Sequence, residues 1–131
     1  MEWPKQYSSE TAPPAVIELT TRLVPLLIQG AHPAMATLRE QFSRARISRV
    51  ELTGVGFFVY FDVPADLPLT EPPAFAGGSA EIRLDADIAA DCVLFVRGGR
   101  LAMFEGYTYD AEWSADALVE SVENVVPIYP G

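Results

Sequence analysis

The groups in this chain with chemistry to offer crowd into its last third. The segment EGYTYDAEW, residues 105–113, places acids, tyrosines and a tryptophan within nine positions. Tyrosine and tryptophan beside carboxylates suit a recognition surface or a polar pocket. Glu105, Tyr107, Tyr109, Asp110 and Trp113 are therefore candidate binding residues. Glu105 stands out among them. Gly98-Gly99 reads as a two-residue hairpin turn, because both central positions of the favoured turn need positive φ. Strict pairing outward from it sets Arg97 against Arg100, Val96 against Leu101, Leu94 against Met103 and Cys92 against Glu105. Glu105 then shares a face with Leu101, Met103, Tyr107 and Tyr109. A carboxylate among apolar and phenolic groups is either hydrogen-bonded or held at a raised pKa. It reads as a functional acid or as a structural hydrogen-bond partner. Arg97 and Arg100 are like charges across the turn, so an anion or a partner's acid would relieve them. They join the candidate binding set.

Other constellations offer less. Cys92 opposite a carboxylate is a poor nucleophile, since nearby negative charge disfavours the thiolate. It is the sole cysteine, and His32 the sole histidine, so no intrachain disulfide and no zinc site are expected. Asp85, Asp87 and Asp91 resemble a calcium loop, but alanines stand where that loop wants a ligand and a glycine. They read as solvated charges. Gly54-Val-Gly56 precedes FFVYFDV, a strand-forming run, so it is not a phosphate loop, which needs a helix N-terminus. Val50 and Leu52 fall out of phase with Val55, Phe57 and Val59. A β-bulge near Gly54 would restore one face; the rival is a two-sided strand with Phe58 and Tyr60 against a second layer. No catalytic residue, metal or cofactor is assigned. A hydrolase using Glu105 with Asp110 or Glu112 is the weakest reading.

The elements that must hold these groups follow from periodicity. Residues 1–12 read as a flexible arm and 13–131 as one domain. Pro13-Pro14 opens a helix over Ala15–Gln29, with Val16, Leu19, Leu23 and Leu26 on one seam and Pro25 as a kink or split. His32-Pro33 opens a second helix with Met35, Leu38, Phe42 and Ala45 inward. Residues 64–79 form a long loop that packs down through Leu67, Leu69 and Phe75. AEIRLDADI, residues 80–88, alternates as a strand with one wet face. CVLFV, residues 92–96, reads as a central strand covered on both faces. Ser114 is placed to cap a short helix from Ala115 to about Asn124, burying Leu118, Val122 and Val125.

The chain has 131 residues, half of them hydrophobic, and a net charge of −9. That charge disfavours nucleic acid and anionic membrane as partners. Arginines nonetheless gather between Arg22 and Arg49, which reads as a solvated helix face. The N-terminus lacks a signal-peptide pattern and no apolar run spans a bilayer, so a bacterial cytoplasmic protein is expected.

The pairing of TGVGFFVYFDVP with GRLAMFEGYTYDAEW resembles a family of small bacterial proteins of unknown function. There a glycine-aromatic strand precedes a Leu-x-x-x-Glu-Gly-Tyr-Thr-Tyr segment, and the likeness covers roughly residues 35–113. It implies no activity or cofactor. Immunity proteins of bacterial toxin systems offer a looser analogy. The expected architecture is α+β: two N-terminal helices on a mostly antiparallel sheet of about four strands, with a short C-terminal helix. Phe58, Phe95 and Phe104, left on the second face, call for a homodimer or a covering loop. The leading functional expectation is a non-catalytic protein-interaction module. The alternative is a small-ligand pocket around Glu105 and Tyr107–Trp113.

Overall fold

Two prolines start the two helices. Pro14 opens α1 (Pro14–Leu27) and Pro33 opens α2 (Pro33–Arg44), each at the first turn, where the missing N–H has no intrahelical role. The computed structural model describes residues 3–71, 78–84, 88–109 and 111–127. α1 runs through Pro25 and ends two residues later, burying Val16, Leu19, Thr20, Leu23, Val24 and Leu27. At α2 the His32 Nδ1 accepts the Ala34 N–H at 3.0 Å, so the lone histidine caps a helix. Arg39 donates to the carbonyls of Ile28 (2.8 Å) and Gly30 (3.2 Å), tying α2 to the end of α1.

The helices cover one face of a seven-stranded antiparallel sheet. Its strands are β1 (Lys5–Tyr7), β2 (Arg46–Leu52), β3 (Gly56–Asp62), β4 (Ser79–Leu84), β5 (Ile88–Arg97), β6 (Arg100–Thr108) and β7 (Val119–Val126), in spatial order β1-β2-β3-β6-β5-β4-β7. The covered face carries Val50, Leu52, Phe57, Val59, Ala80, Ile82, Leu84, Ala90, Cys92, Leu94, Val96, Leu101 and Phe104, all buried. Each large side chain buried there contributes about 1.5–3 kcal/mol of transfer free energy.

This architecture overturns the expected one of about four strands and a C-terminal helix. Residues 119–126 are strand β7, antiparallel to β4. The reason is physical: β4 needs a neighbour for its outer row of N–H and C=O groups, and a run with four β-branched valines suits pairing better than helix. Val119 and Val122 pack on the core, while Leu118, expected inside, is 66% exposed. The Ser114 hydroxyl bonds Asp116, and Ala117 N–H reaches the Ser114 carbonyl at 3.0 Å, closing a turn rather than a helix. The expected arm supplies β1, paired with β2. The alternation over residues 80–88 divides between two strands, since Leu84 pairs with Ile88. Phe75, Asp85, Asp87 and Asp110 lie outside the described residues.

The expected bulge at Gly54 is a chain reversal instead. Thr53 N–H meets the Gly56 carbonyl at 3.0 Å, Gly54 has φ +91°, and Leu52 then pairs with Phe57. The parity fault vanishes because β2 and β3 are separate strands. Gly56 has a second reason to be glycine: a Cβ there would lie 1.9 Å from the Gly106 carbonyl oxygen. The ladder shift in β2 falls between Ile47 and Arg49, where Ser48 is the extra residue. The Gly98-Gly99 turn is as expected, with φ +58° and +79°.

Gln41, fully buried on α2, is the polar residue the apolar stripe omits. Its Nε2 donates to the carbonyls of Pro68 and Gly99, each at 2.9 Å, and its Oε1 accepts the Leu101 N–H at 2.9 Å. One carboxamide thus joins α2, the β5–β6 turn and the loop after β3.

Two measurements follow from these contacts. Gly56→Ala must push β3 from β6 and is expected to lower the unfolding free energy by about 3 kcal/mol or more. Gly98→Ala, with open space around it, costs about 1 kcal/mol from its positive φ alone. Denaturant midpoints of the two variants check the order. Gln41→Leu leaves Pro68 O and Leu101 N–H without their side-chain partner and is expected to cost about 2–4 kcal/mol with an unchanged denaturant slope.

Candidate functional site

Pairing from the turn holds for two rungs and then slips. Arg97 faces Arg100 and Val96 faces Leu101, but Phe95 faces Met103, leaving Ala102 as an extra residue in β6. Every later residue changes partner. Leu94 pairs with Phe104, Cys92 with Gly106, and Glu105 with Val93. The expected opposition of Cys92 and Glu105, and the shared face of Glu105 with Leu101, are therefore corrected: Leu101 and Cys92 point to the core, Glu105 to the other face. Phe104 is likewise a core residue, its ring 5.8 Å from Phe57, and does not join Phe58 and Phe95 on the second face.

Among the described residues no helix lies on that second face. One outer row across the sheet runs Glu51, Phe58, Glu105, Val93, Ser79. A neighbouring row runs Arg49, Tyr60, Met103, Phe95, and the row on the opposite side runs Gly56, Tyr107, Asp91, Glu81. Phe58, Tyr60, Phe95, Met103 and Tyr107 are each half-buried around Glu105. Among the described residues β5 is thus central but covered on one face, not two.

The rings are partly dressed by the chain's own cations. The Arg49 guanidinium sits 4.0 Å from the Tyr60 ring centroid, and Arg97 sits 5.8 Å from that of Phe95. Phe58 and Tyr60 lie 6.2 Å apart, tilted against each other. Tyr107 and Tyr109 meet edge to face at 5.6 Å. Tyr109, 69% exposed, donates its hydroxyl to Asp91, and that bond holds the phenol above its ordinary range. Glu105 is also shifted upward, and burial among apolar neighbours is the cause. Next to this patch a shallow concavity is lined by Ser79, Glu81, Asp91, Val93, Tyr107 and Asn124.

The remaining candidates serve structure. Trp113 is buried, its ring edge-on to Phe57 at 5.1 Å, and its N–H donates to the Gly54 carbonyl at 3.1 Å. It lies on the core side, so Tyr107 and Trp113 do not line one pocket. Arg100 donates to the carbonyls of Pro64 (3.2 Å) and Ala65 (3.4 Å), pinning the loop after β3. Leu67 and Thr70 of that loop are buried while Leu69 is exposed, and Thr70 N–H donates to the Gly99 carbonyl at 3.1 Å. Burial raises the Cys92 thiol far out of reach of neutral pH, with Asp91 and Glu105 adding repulsion, so no nucleophile is formed there. Glu112 lines a cleft with Trp3, Lys5 and Tyr7 at the β1 edge rather than joining Glu105. Among the described residues no cluster of histidine, cysteine and acids is arranged to hold a metal. No helix among them is long and apolar enough to cross a membrane.

Sequence reasoning named Glu105, Tyr107 and Tyr109, with Met103 on their face, but missed Tyr60, Asp91 and Arg49 as their companions. Alternation along FFVYFDV was the available signal: Phe58 and Tyr60 share the phase opposite to Phe57 and Val59.

A pH dependence follows from Glu105. Its folded pKa lies above the unfolded one, so ionised Glu105 opposes folding at neutral pH, and that penalty fades as pH falls through the folded pKa and is gone below the unfolded one. Glu105→Gln is expected to have a higher denaturant midpoint than the wild type at pH 7. The gap should close as the pH falls through the carboxylate range.

No protein-family model, curated protein or solved structure matches this chain.

Proposed function

We propose that the chain is a non-catalytic protein-interaction module of the bacterial cytoplasm, immunity-like in character, that docks its partner on the outer face of the sheet. The observation carrying this reading is the half-buried aromatic patch of Phe58, Tyr60, Phe95, Met103 and Tyr107, which no described element covers. Flat aromatic surface rimmed by charge is the composition of interface hot spots. A rigid sheet also presents it without an ordering penalty. Catalysis finds less support. Among the described residues the cross-strand neighbours of Glu105, Phe58 and Val93, are apolar and supply no paired base. The likeness to small bacterial proteins of unknown function, and to immunity proteins, is consistent with this role and belongs to the same proposal.

The test compares partners retained from the producing organism by the wild type, by Phe58→Ser/Phe95→Ser and by Arg22→Ser on the exposed side of α1. A partner retained by the first and third and weakened about 30-fold or more by the second supports the outer face, since truncating a hot-spot residue costs about 2 kcal/mol or more. Equal retention by all three, with circular dichroism showing each folded, sinks it.

A further inference from the structure

The outer face is not uniform, and its asymmetry specifies the occupant. On one side, the rings of Tyr60 and Phe95 already carry Arg49 and Arg97. On the other, Tyr107 leads into a row of acids, Asp91 on β5, Glu81 on β4 and Glu123 on β7, with Glu105 one rung away. Among the described residues, Tyr109 donates a hydrogen bond to Asp91 and Asn124 donates one to Glu81, and both donors are neutral. Between the two halves, Phe58 and Tyr107 flank Glu105, across β3 and along β6 respectively. Gly56, the β3 partner of Tyr107, adds no side chain beside that ring.

We infer that this position seats an arginine side chain of a basic protein, its guanidinium paired with Glu105 and stacked against Phe58 and Tyr107. The inference rests on the outer-face reading above and gives its partner a chemistry. A carboxylate at the centre of an apolar patch loses water when the face is covered, and a docking cation restores what desolvation removes. Guanidinium fits better than ammonium because it is planar, weakly hydrated, and able to stack and pair at once. The chain itself places guanidinium on two rings of the same face. Net charge agrees: at −9, the protein draws a basic partner and repels a second copy. Two copies face to face would also bring carboxylates toward one another across a dry interface.

The test is an NMR titration of the full chain with acetyl-Gly-Arg-Gly-Arg-Gly amide, run beside the same peptide carrying lysine or citrulline in place of arginine. Saturable shifts centred on Phe58, Glu105 and Tyr107 are expected with the arginine peptide. The order of affinity should be arginine, lysine, citrulline. Glu105→Gln should weaken the arginine peptide about 10-fold, the size of one charge-assisted contact. Shifts scattered over the acids of the whole surface, Glu18 and Glu40 included, and unchanged by Glu105→Gln overturn the arginine seat. So does equal binding of the citrulline peptide, which would mark an apolar site. If the partner is still lost by Phe58→Ser/Phe95→Ser in either case, the outer face stands as the contact surface and only the arginine chemistry fails. Concentration-dependent association of the chain without peptide, abolished by Phe58→Ser/Phe95→Ser, would make a second copy the occupant and overturn the basic partner.

Discussion

The buried carboxamide of Gln41 is the interaction on which the arrangement of the sheet depends. β3 pairs with β6 only as far as Met103, so the Leu101 N–H beyond that rung needs another acceptor. Gln41 supplies it, and its amide nitrogen holds the Gly99 and Pro68 carbonyls. Gly99 O also accepts the Thr70 N–H, but leaving Pro68 O and Leu101 N–H desolvated without partners would oppose the fold by on the order of 1–3 kcal/mol each. A single side chain from α2 removes that opposition. It thereby fixes the helix over the turn at the point where β6 takes its extra residue.

That extra residue decides what the protein shows to its surroundings. Strand side chains alternate, so one inserted position exchanges the faces of everything beyond it. With Ala102 inserted, Leu101 and Phe104 both reach the core, and Met103, Glu105 and Tyr107 all turn outward. Without it, Glu105 would lie among Leu101, Cys92 and the helices, where an ionised carboxylate is poorly tolerated. The two reversals anchor the result. Thr108 N–H donates to the Val55 carbonyl at 2.8 Å and Trp113 N–H to that of Gly54, so the end of β6 is clamped to the β2–β3 turn. The Gly56–Gly106 approach lets β3 and β6 lie close enough for Phe57 to pack over Gly106.

Local signals were legible in the residues, and long-range ones were not. Proline at Pro14 and Pro33 and the Gly98-Gly99 pair announce their elements because backbone chemistry alone dictates them. Strand identity at 119–126 was hidden: Leu118, Val122 and Val125 recur at a helical spacing, and only the unpaired edge of β4 selects strand. The slip at Ala102 was hidden for a related reason. The residue next to it, Leu101, bonds Gln41 60 positions away in the chain, and a polar residue inside an apolar stripe carries no address. Glu105 was singled out by its apolar setting, which is correct, but its face followed from a register that the sequence does not encode locally. Trp113 drew attention as an aromatic beside acids, yet its ring serves the core against Phe57.

Position also explains why an open aromatic face and an acidic body belong together. An uncovered sheet face rich in phenylalanine and tyrosine invites stacking on itself. Here the patch has a carboxylate at its centre and further acids along one side, and the whole chain carries −9. Stacking two such faces would desolvate like charges against each other, whereas a cation-bearing surface gains both the apolar contact and the ion pair. Under the proposed function the repulsive element and the recognition element are the same group. Moving Glu105 to the other face, as a one-residue change in β6 would do, would remove both together, so under the proposed function the register that begins beside the Gln41–Leu101 bond also sets the selectivity of the face.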